Sequence, residues 1–277
     1  MKKYLLLGVL MISLAAGAQQ INLNKVQQIT ITSTANQDID MMSMGMQMKN
    51  NTSSTGILEI KNGDNKNYNG IYKLSKISIS MDAMGQQSSY DSEKPSDKES
   101  EIGKSVSGKV GKEIKVSINK NSGKATVDKN EAEIKTATED ANPLKGLMES
   151  FGAADEGATV ETAFFMMPAG KKAGDSWVDS VKTKEMKEVK TYTLKSITGS
   201  EAIIGIFSIM EGTSKVDAQG MQMDISISAK SEGEIIVDTK NSLVKKRSSV
   251  SDISGNIEMM GQSMPMTSKV SATTEYK

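Results

Sequence analysis

The chain has no cysteine, no histidine, four prolines and one tryptophan, and ten other aromatic residues are spread over its 277 positions. Without cysteine there are no disulfides. Without cysteine or histidine, zinc sites of the usual kind, Ser-His-Asp triads and Cys-His dyads cannot be built. Catalysis is left with carboxylate pairs or Ser-Lys chemistry, and neither occurs at a telling spacing. The acids are scattered among Ser, Thr and Lys, the pattern of a solvated strand surface, so the chain reads as a non-enzyme with no cofactor and no metal. It also lacks an excess of charge, with 34 basic residues against 34 acidic. That balance gives no electrostatic case for nucleic acid or an anionic membrane. Past the N-terminus no apolar run is long enough to span a bilayer.

What is present begins with a leader. Met1-Lys2-Lys3 is a basic n-region, Tyr4 to Leu14 a short apolar run, and Ala16-Gly17-Ala18 an A-x-A site before Gln19. This predicts a cleaved signal peptide over 1–18 and a periplasmic or secreted product. No cysteine follows the apolar run, so no lipid anchor is expected. Losing Lys2 and Lys3 leaves a net charge of −2, from 32 basic and 34 acidic residues. The remaining 19–277 are expected to form a single β domain.

Period-two alternation dominates that domain. Ile29/Ile31, Ile77/Ile79/Met81, Ile114/Val116/Ile118, Ile225/Ile227/Ala229 and Val270/Ala272 each point to one side, with Ser, Thr, Lys and Gln between them. Antiparallel strands with one buried and one wet face have this pattern. Turn-forming stretches separate them at Asn62-Gly63-Asp64-Asn65, Asn119 to Lys124 and Gly199-Ser200. The phase slips between Leu74 and Ile77 and again between Leu194 and Ile197, and a β-bulge at each place would account for it.

A repeat organises the strands. Gly45-Met46-Gln47-Met48 returns as Gly220-Met221-Gln222-Met223, Gly56-Ile57-Leu58-Glu59-Ile60 is answered from Gly233, and Met84-Gly85-Gln86 by Met260-Gly261-Gln262, at offsets of 175, 177 and 176 residues. The blocks run over about 26–92 and 201–277, with an insert over about 93–200. Glu93 to Ser107 is polar and charged and is expected to be a mobile loop. A hairpin follows over about 111–128. In Pro143 to Phe151, Leu144, Leu147, Met148 and Phe151 recur at helical spacing behind an Asn142 cap. A second, weaker amphipathic piece covers Ala158 to Met167. The expected fold is mainly β: one strongly curved antiparallel sheet, an open or closed barrel, with the short helical insert plugging it. A two-sheet sandwich would need long crossovers, against which the hairpin-length links argue.

Methionine is the most unusual component, at 20 residues, 18 of them after the leader. The runs are Met41 to Met48, Met81 to Met84, Met221 to Met223 and Met259 to Met266. Three readings compete. The side chains cap one end of the core, they contact an apolar ligand, or their thioethers hold Cu(I), which predicts Met44, Met46 and Met48 close to Met221 and Met223. The residues assigned to ligand contact are Met46, Met48, Met81, Met221, Met223, Leu147 and Phe151. Gly174-Asp175-Ser176-Trp177 reads as a turn that anchors the next strand, with Gly at positive φ and Asp closing an Asx-turn. Asn62 to Asn67 reads as a hairpin loop rather than a Ca²⁺ loop, having one carboxylate and a lysine. Asn51-Thr52-Ser53 fits a glycosylation sequon, and Asp179-Ser180-Val181 resembles the O-glycosylation triplet of Bacteroidota-type bacteria.

The leader ending in Ala-Gln-Gln, the Lys/Asn/Ser-rich strands, the Met-Gly-Gln turns and the Pro168…Gly174-Asp175-Ser176-Trp177 segment together resemble an uncharacterised family of exported Bacteroidota proteins. That resemblance covers most of the mature chain and implies no activity and no site residues. A curved antiparallel half-barrel with a helical lid is also similar in plan to periplasmic lipoprotein and lipid carriers. The function expected is therefore a non-catalytic periplasmic or cell-surface binding protein. It would hold an apolar small molecule, a lipid or acyl chain, on the concave face of the sheet. The alternatives are a structural or interaction module of the envelope without a ligand, and Cu(I) binding.

Overall fold

In the computed structural model, the residues described are 21, 23, 27–41, 46–61, 63–127, 156–183, 185–218, 221–259 and 262–277. The leader and the amphipathic segment 143–151, with Leu147 and Phe151, lie outside them.

Twelve strands form one antiparallel sheet. They are β1 (Gln27–Met41), β2 (Met46–Lys61), β3 (Asn67–Ala83), β4 (Gln86–Asp91), β5 (Glu113–Asn119), β6 (Ala125–Val127), β7 (Ser176–Lys182), β8 (Met186–Thr198), β9 (Glu201–Ala218), β10 (Met221–Asp238), β11 (Leu243–Met259) and β12 (Gln262–Tyr276). Their order is β6-β5-β3-β2-β1-β12-β11-β10-β9-β8-β7, with β4 also paired to β3, so the sheet has edges and is not a closed barrel. β3 is shared along its length: Tyr68 to Lys73 pair with β5 and Ser78 to Ala83 with β4. Strands β2 and β10 hold the matching segments that run on from Met46 and Met221 and from Gly56 and Gly233, while Met84-Gly85-Gln86 and Met260-Gly261-Gln262 follow β3 and β11. β1 and β12 pair at the middle of the sheet, from Ile31↔Tyr276 to Met41↔Met266.

Alternation sends one side chain in two to the core face. There Ile29, Ile31, Leu58, Ile60, Val116, Ile118, Leu194, Ile204, Ile235, Val237 and Val244 form the main core, all under a tenth exposed. Both phase slips read in the sequence are bulges. β3 skips Ser75 between Lys76↔Thr55 and Leu74↔Gly56, and β8 skips Lys195 between Leu194↔Ile204 and Ser196↔Ile203. A third bulge, at Lys245 opposite Ile236/Val237, has no counterpart in the sequence reading.

The sheet's curvature can be read from one short segment. Helix α2 (Glu156–Glu161) and the extended residues after it lie across the core, with Val160, Ala163 and Phe164 buried. Glu161 Oε1 accepts from the Ala125 amide of β6 at 2.9 Å, while the Ala163 carbonyl accepts from the Val244 amide of β11 at 2.9 Å. In a flat sheet β6 and β11 would stand six spacings apart, about 29 Å. Two residues of chain plus one side chain cannot reach that far, so the sheet wraps until the two regions are brought to the same segment. The helical part is shorter than the 158–167 span expected, and Phe164 leaves it to bridge to Leu243.

The expected loop at 93–107 is structured instead. Pro95–Glu99 forms a 3₁₀ turn and Glu101–Val106 helix α1. Ser100 caps α1, its hydroxyl accepting from the Gly103 amide at 3.0 Å, and Asp97 accepts from the Asp91 amide. Ile102 and Val106, four apart, dock on Ile79, Ile77 and Tyr90 of β3 and β4. Capping and one apolar stripe outweigh the high charge of the segment.

Candidate functional site

The opposite face of the sheet is polar, and strand register gives it an ordered row of charge. Lys230 of β10 stands opposite Asp252 of β11, Asp252 opposite Lys269 of β12, Lys269 opposite Asp38 of β1, Asp38 opposite Lys49 of β2, and Lys49 opposite Asp82 of β3. Lys269 Nζ lies 3.7 Å from Asp252, and both side chains are well exposed. A shallow recess of about 630 Å³ is framed by this row, and a second of about 720 Å³ by Lys195, Phe207, Glu232, Glu234 and Val250. Twist makes a sheet a saddle, so the face away from the core is also concave along one diagonal. A Lys of this row held at the middle of a bilayer would cost about 2–4 kcal/mol. Among the described residues no helix is long and apolar enough to cross a membrane.

On the core face the apolar side chains are concentrated at the two ends of the strands. At the end where β1 runs towards β2, Ile39, Met41, Ile257 and Met266 form a second cluster, joined by half-buried Met48, Ile225 and Met264. At the other end is the main core. Between them the face is lined by small, half-buried side chains, Ser33, Ala35, Thr52, Ser249, Val270 and Ala272. Gln37 and Ser268 are buried within this stretch and hydrogen-bonded to each other at 3.3 Å. Ser33 shares a hydroxyl bond with Thr274 at 3.0 Å, and Ser231 with Ser251 at 2.7 Å.

The predicted methionines fall in different places. Met48 packs in the second core cluster and Met81 against Ile79, Tyr90 and Ile102. Met46 is opposite Met41 across the β1-β2 hairpin, and Met221 and Met223 are opposite Ala218 and Val216. The side chains of Met46, Met221 and Met223 lie outside the described residues. Among the described residues the methionines that meet are Met41, Met48, Met264 and Met266, and all of them cap one end of the core. Among the described residues no three His, Cys, Asp or Glu side chains converge as metal ligands.

In the Gly-Asp-Ser-Trp turn Gly174 has the positive φ expected, +94°, but Asp175 reaches back to accept from the Lys172 amide at 2.9 Å instead of closing an Asx-turn. Trp177 then stacks on Tyr192 at 5.6 Å, and Phe165 meets Tyr192 edge-on at 5.3 Å. Asp64 is likewise a turn residue. Its Oδ1 accepts from the Lys66 and Asn67 amides, both at 2.7 Å, and these bonds hold its carboxyl below the usual range. Ser180 is exposed on edge strand β7.

Sequence reasoning passed over Arg247, the single arginine of the chain. It projects from β11 onto the core face, opposite Thr274 and Ile235. Its Nε is buried without a hydrogen-bond partner, and so is the hydroxyl of Tyr276, a residue only 7 % exposed. Burial pushes the Tyr276 phenol up, opposed by the dipoles and charge of Thr162, Arg247 and Thr274 beside it. None of these reaches the hydroxyl in bonding geometry. Its isolated guanidinium among so many lysines was the one available signal.

These observations define a class: a mainly β protein built on one open, curved antiparallel sheet closed over by a short helical segment. The chain belongs to a family of unknown function, DUF6263, whose profile matches residues 65–244. No curated protein matches the sequence. Among solved structures it is similar to OccK5 (OpdH) of Pseudomonas aeruginosa, at 6 % identity over 92 % of this chain and 99 % of that one, with a TM-score of 0.23. It is similar too to the COG4313 outer membrane channel of Pseudomonas putida F1, at 6 % identity over 94 % and 98 % with a TM-score of 0.22. A third is OpdQ of P. aeruginosa, at 5 % identity over 92 % and 99 % with a TM-score of 0.21. At such scores the likeness carries no argument about this chain.

Proposed function

We propose that this protein is an exported, non-catalytic binding protein of the Bacteroidota-type cell envelope that holds an apolar molecule, a lipid or acyl chain, against the core face of its sheet. The observation that carries the reading is the thinly lined middle of that face. From Ile31 to Ile39 the strand rises about 26 Å, and over that length this face bears mostly Ser, Ala, Thr and Val, with Gln37, Asn50 and Ile253 the larger side chains. A curved sheet needs large side chains to fill it, and the chain has eleven aromatics in all. Apolar clusters at both ends would grip a long apolar ligand between them. The absence of histidine and cysteine supports a non-catalytic role. Export rests on the Ala16-Gly17-Ala18 cleavage site, and secreted protein should begin at Gln19.

Protein expressed with its leader, purified without detergent, extracted with solvent and analysed by mass spectrometry should release a stoichiometric lipid. Delipidated protein should bind cis-parinaric acid with a rise in fluorescence. No extracted lipid together with no probe binding at saturating concentration overturns the reading.

A second reading, an interaction module of the envelope, is favoured by exposed Phe207, Ile209 and Val250 beside the larger polar-face recess. An F207S/V250S variant would then lose an envelope partner while keeping its lipid content. Among the described residues Cu(I) binding has Met41, Met48, Met264 and Met266 in support, and these are packed among isoleucines.

A further inference from the structure

We propose that Arg247 and Tyr276 receive the anionic head group, a carboxylate, of the apolar ligand. The assignment rests on the preceding reading of the core face and adds the polarity and chemical class of what binds there.

Two buried polar atoms without partners sit side by side, the Nε–H donor of Arg247 and the hydroxyl of Tyr276. Buried polar groups in native proteins are nearly always satisfied, and an exception points to a missing ion or ligand. Leaving a donor on a charged group unmade is especially costly. Among the described residues no carboxylate lies in ion-pair range of Arg247. Glu188, on the same face of the sheet, is paired with Lys190 at 2.9 Å. The chain uses lysine for every ion pair among the described residues and places its one arginine here, where the planar fork of donors suits a two-oxygen acceptor.

The surroundings separate into two ends. Below Arg247, towards Tyr276, are Ile31, Ile235, Ile204 and Leu194, all fully or almost fully buried. Above it, the half-buried Ser249, Ala272 and Ala35 begin the thinly lined stretch that ends at Ile39, Met41 and Met266. A carboxylate on Arg247 and Tyr276 would leave its chain free to run along that stretch to the methionine-capped end. One oxygen would accept from Nε–H and the other from the Tyr276 hydroxyl. Neighbouring Thr274 already shares its hydroxyl with Ser33, and Thr162 donates to the Thr159 carbonyl at 2.6 Å, so neither competes for the ligand.

A single arginine gives a single Nε–Hε cross-peak in an ¹⁵N spectrum, which reports directly on the orphan donor. Titrating full-length protein with decanoate should move that peak, at concentrations at least a hundredfold below those at which acetate or inorganic phosphate moves it. Y276F should weaken decanoate at least fivefold and R247K at least tenfold, with methyl decanoate unaffected by either. If acetate or phosphate moves the peak as readily as decanoate, the site takes free anions and the head-group assignment is overturned. If methyl decanoate binds as tightly as decanoate and the peak stays still, the assignment fails while the apolar-ligand reading stands. Silence towards all four probes overturns both.

Discussion

Gly56 offers the sharpest test of how this sheet is packed. It sits on the core face of β2, just where β3 bulges, and the Tyr72 ring from β3 lies across it. A Cβ built on Gly56 would stand 2.5 Å from both Cε2 and Oη of Tyr72 and 2.8 Å from Cζ, whereas carbon atoms in contact rest about 3.5–4.0 Å apart. The ring would have to retreat by about 1 Å, and Tyr72 is 5 % exposed among Leu58, Val116 and Ile118, with little room behind it. Two effects oppose each other in G56A. Replacing glycine in a strand should stabilise by about 0.5–1 kcal/mol through chain entropy. Forcing a methyl into a filled core costs about 1–3 kcal/mol. The clash is severe and the ring confined, so the net effect should be a loss of about 1–2 kcal/mol. Urea unfolding followed by the fluorescence of Trp177 would show a lowered midpoint at constant slope. The same substitution in a Y72L background should cost little or even stabilise, giving a coupling of about 1 kcal/mol or more. A neutral or stabilising G56A in the wild-type background, or an equal cost in both, refutes the packing described.

Burial, with the charge of Glu156 adding to it, pushes the Tyr72 phenol up to about 12 from its ordinary value of 10.0. The stability tied to its neutral form is intact well below pH 10 and should fall by about 2.7 kcal/mol in all as pH rises through both values to well above 12. Y72F should abolish that part of the alkaline loss, and an unchanged loss in Y72F would contradict the assignment. Gly174, at φ +94°, should not tolerate a side chain. G174A is expected to lower stability by about 1–2 kcal/mol, read as a lower melting temperature, and an unchanged melting temperature would count against the turn. K269D would set three acids side by side on β11, β12 and β1, costing about 0.4–2 kcal/mol at low ionic strength. That cost should shrink as salt is added, and a salt-independent cost would argue against an electrostatic row.

Much of the sheet was legible because each strand has one wet face. Ile29 and Ile31, or Val116 and Ile118, could only alternate as they do if the strand were half buried. The slips at Leu74–Ile77 and Leu194–Ile197 were visible because an extra residue changes the phase of a clean alternation. The bulge at Lys245 was not, because β11 continues Lys245-Lys246-Arg247-Ser248-Ser249, with no apolar alternation whose phase could slip. Glu93 to Ser107 was misread for the opposite reason. Its charges dominate any average, while the helix depends on a single cap at Ser100 and on Ile102 and Val106. The approach of Arg247 to Tyr276 could not be foreseen at all. The two are on neighbouring strands, and only the register of β11 on β12 brings them together.

The register of β1 on β12 is the least obvious consequence of the sequence, since the two strands come from opposite ends of the chain and are rich in Ser and Thr. A slip by one residue is forbidden because it would turn Ile31, Ile39 and Met266 towards water. A slip by two keeps the faces and must be resisted by something finer. Moved one way, Lys269 would leave Asp38 for Asn36 and break the charged row at its centre. Moved the other way, Lys269 would meet Asp40 and keep an ion pair, but Ser268 would then face Met41 and Gln37 would face Ala272. The Gln37–Ser268 bond would be lost with both groups still buried, a penalty of about 1–3 kcal/mol. The polar face guards one direction and the buried amide the other. On this reading Gln37 is kept in an otherwise small-residue stretch to fix a strand pairing that no hairpin enforces.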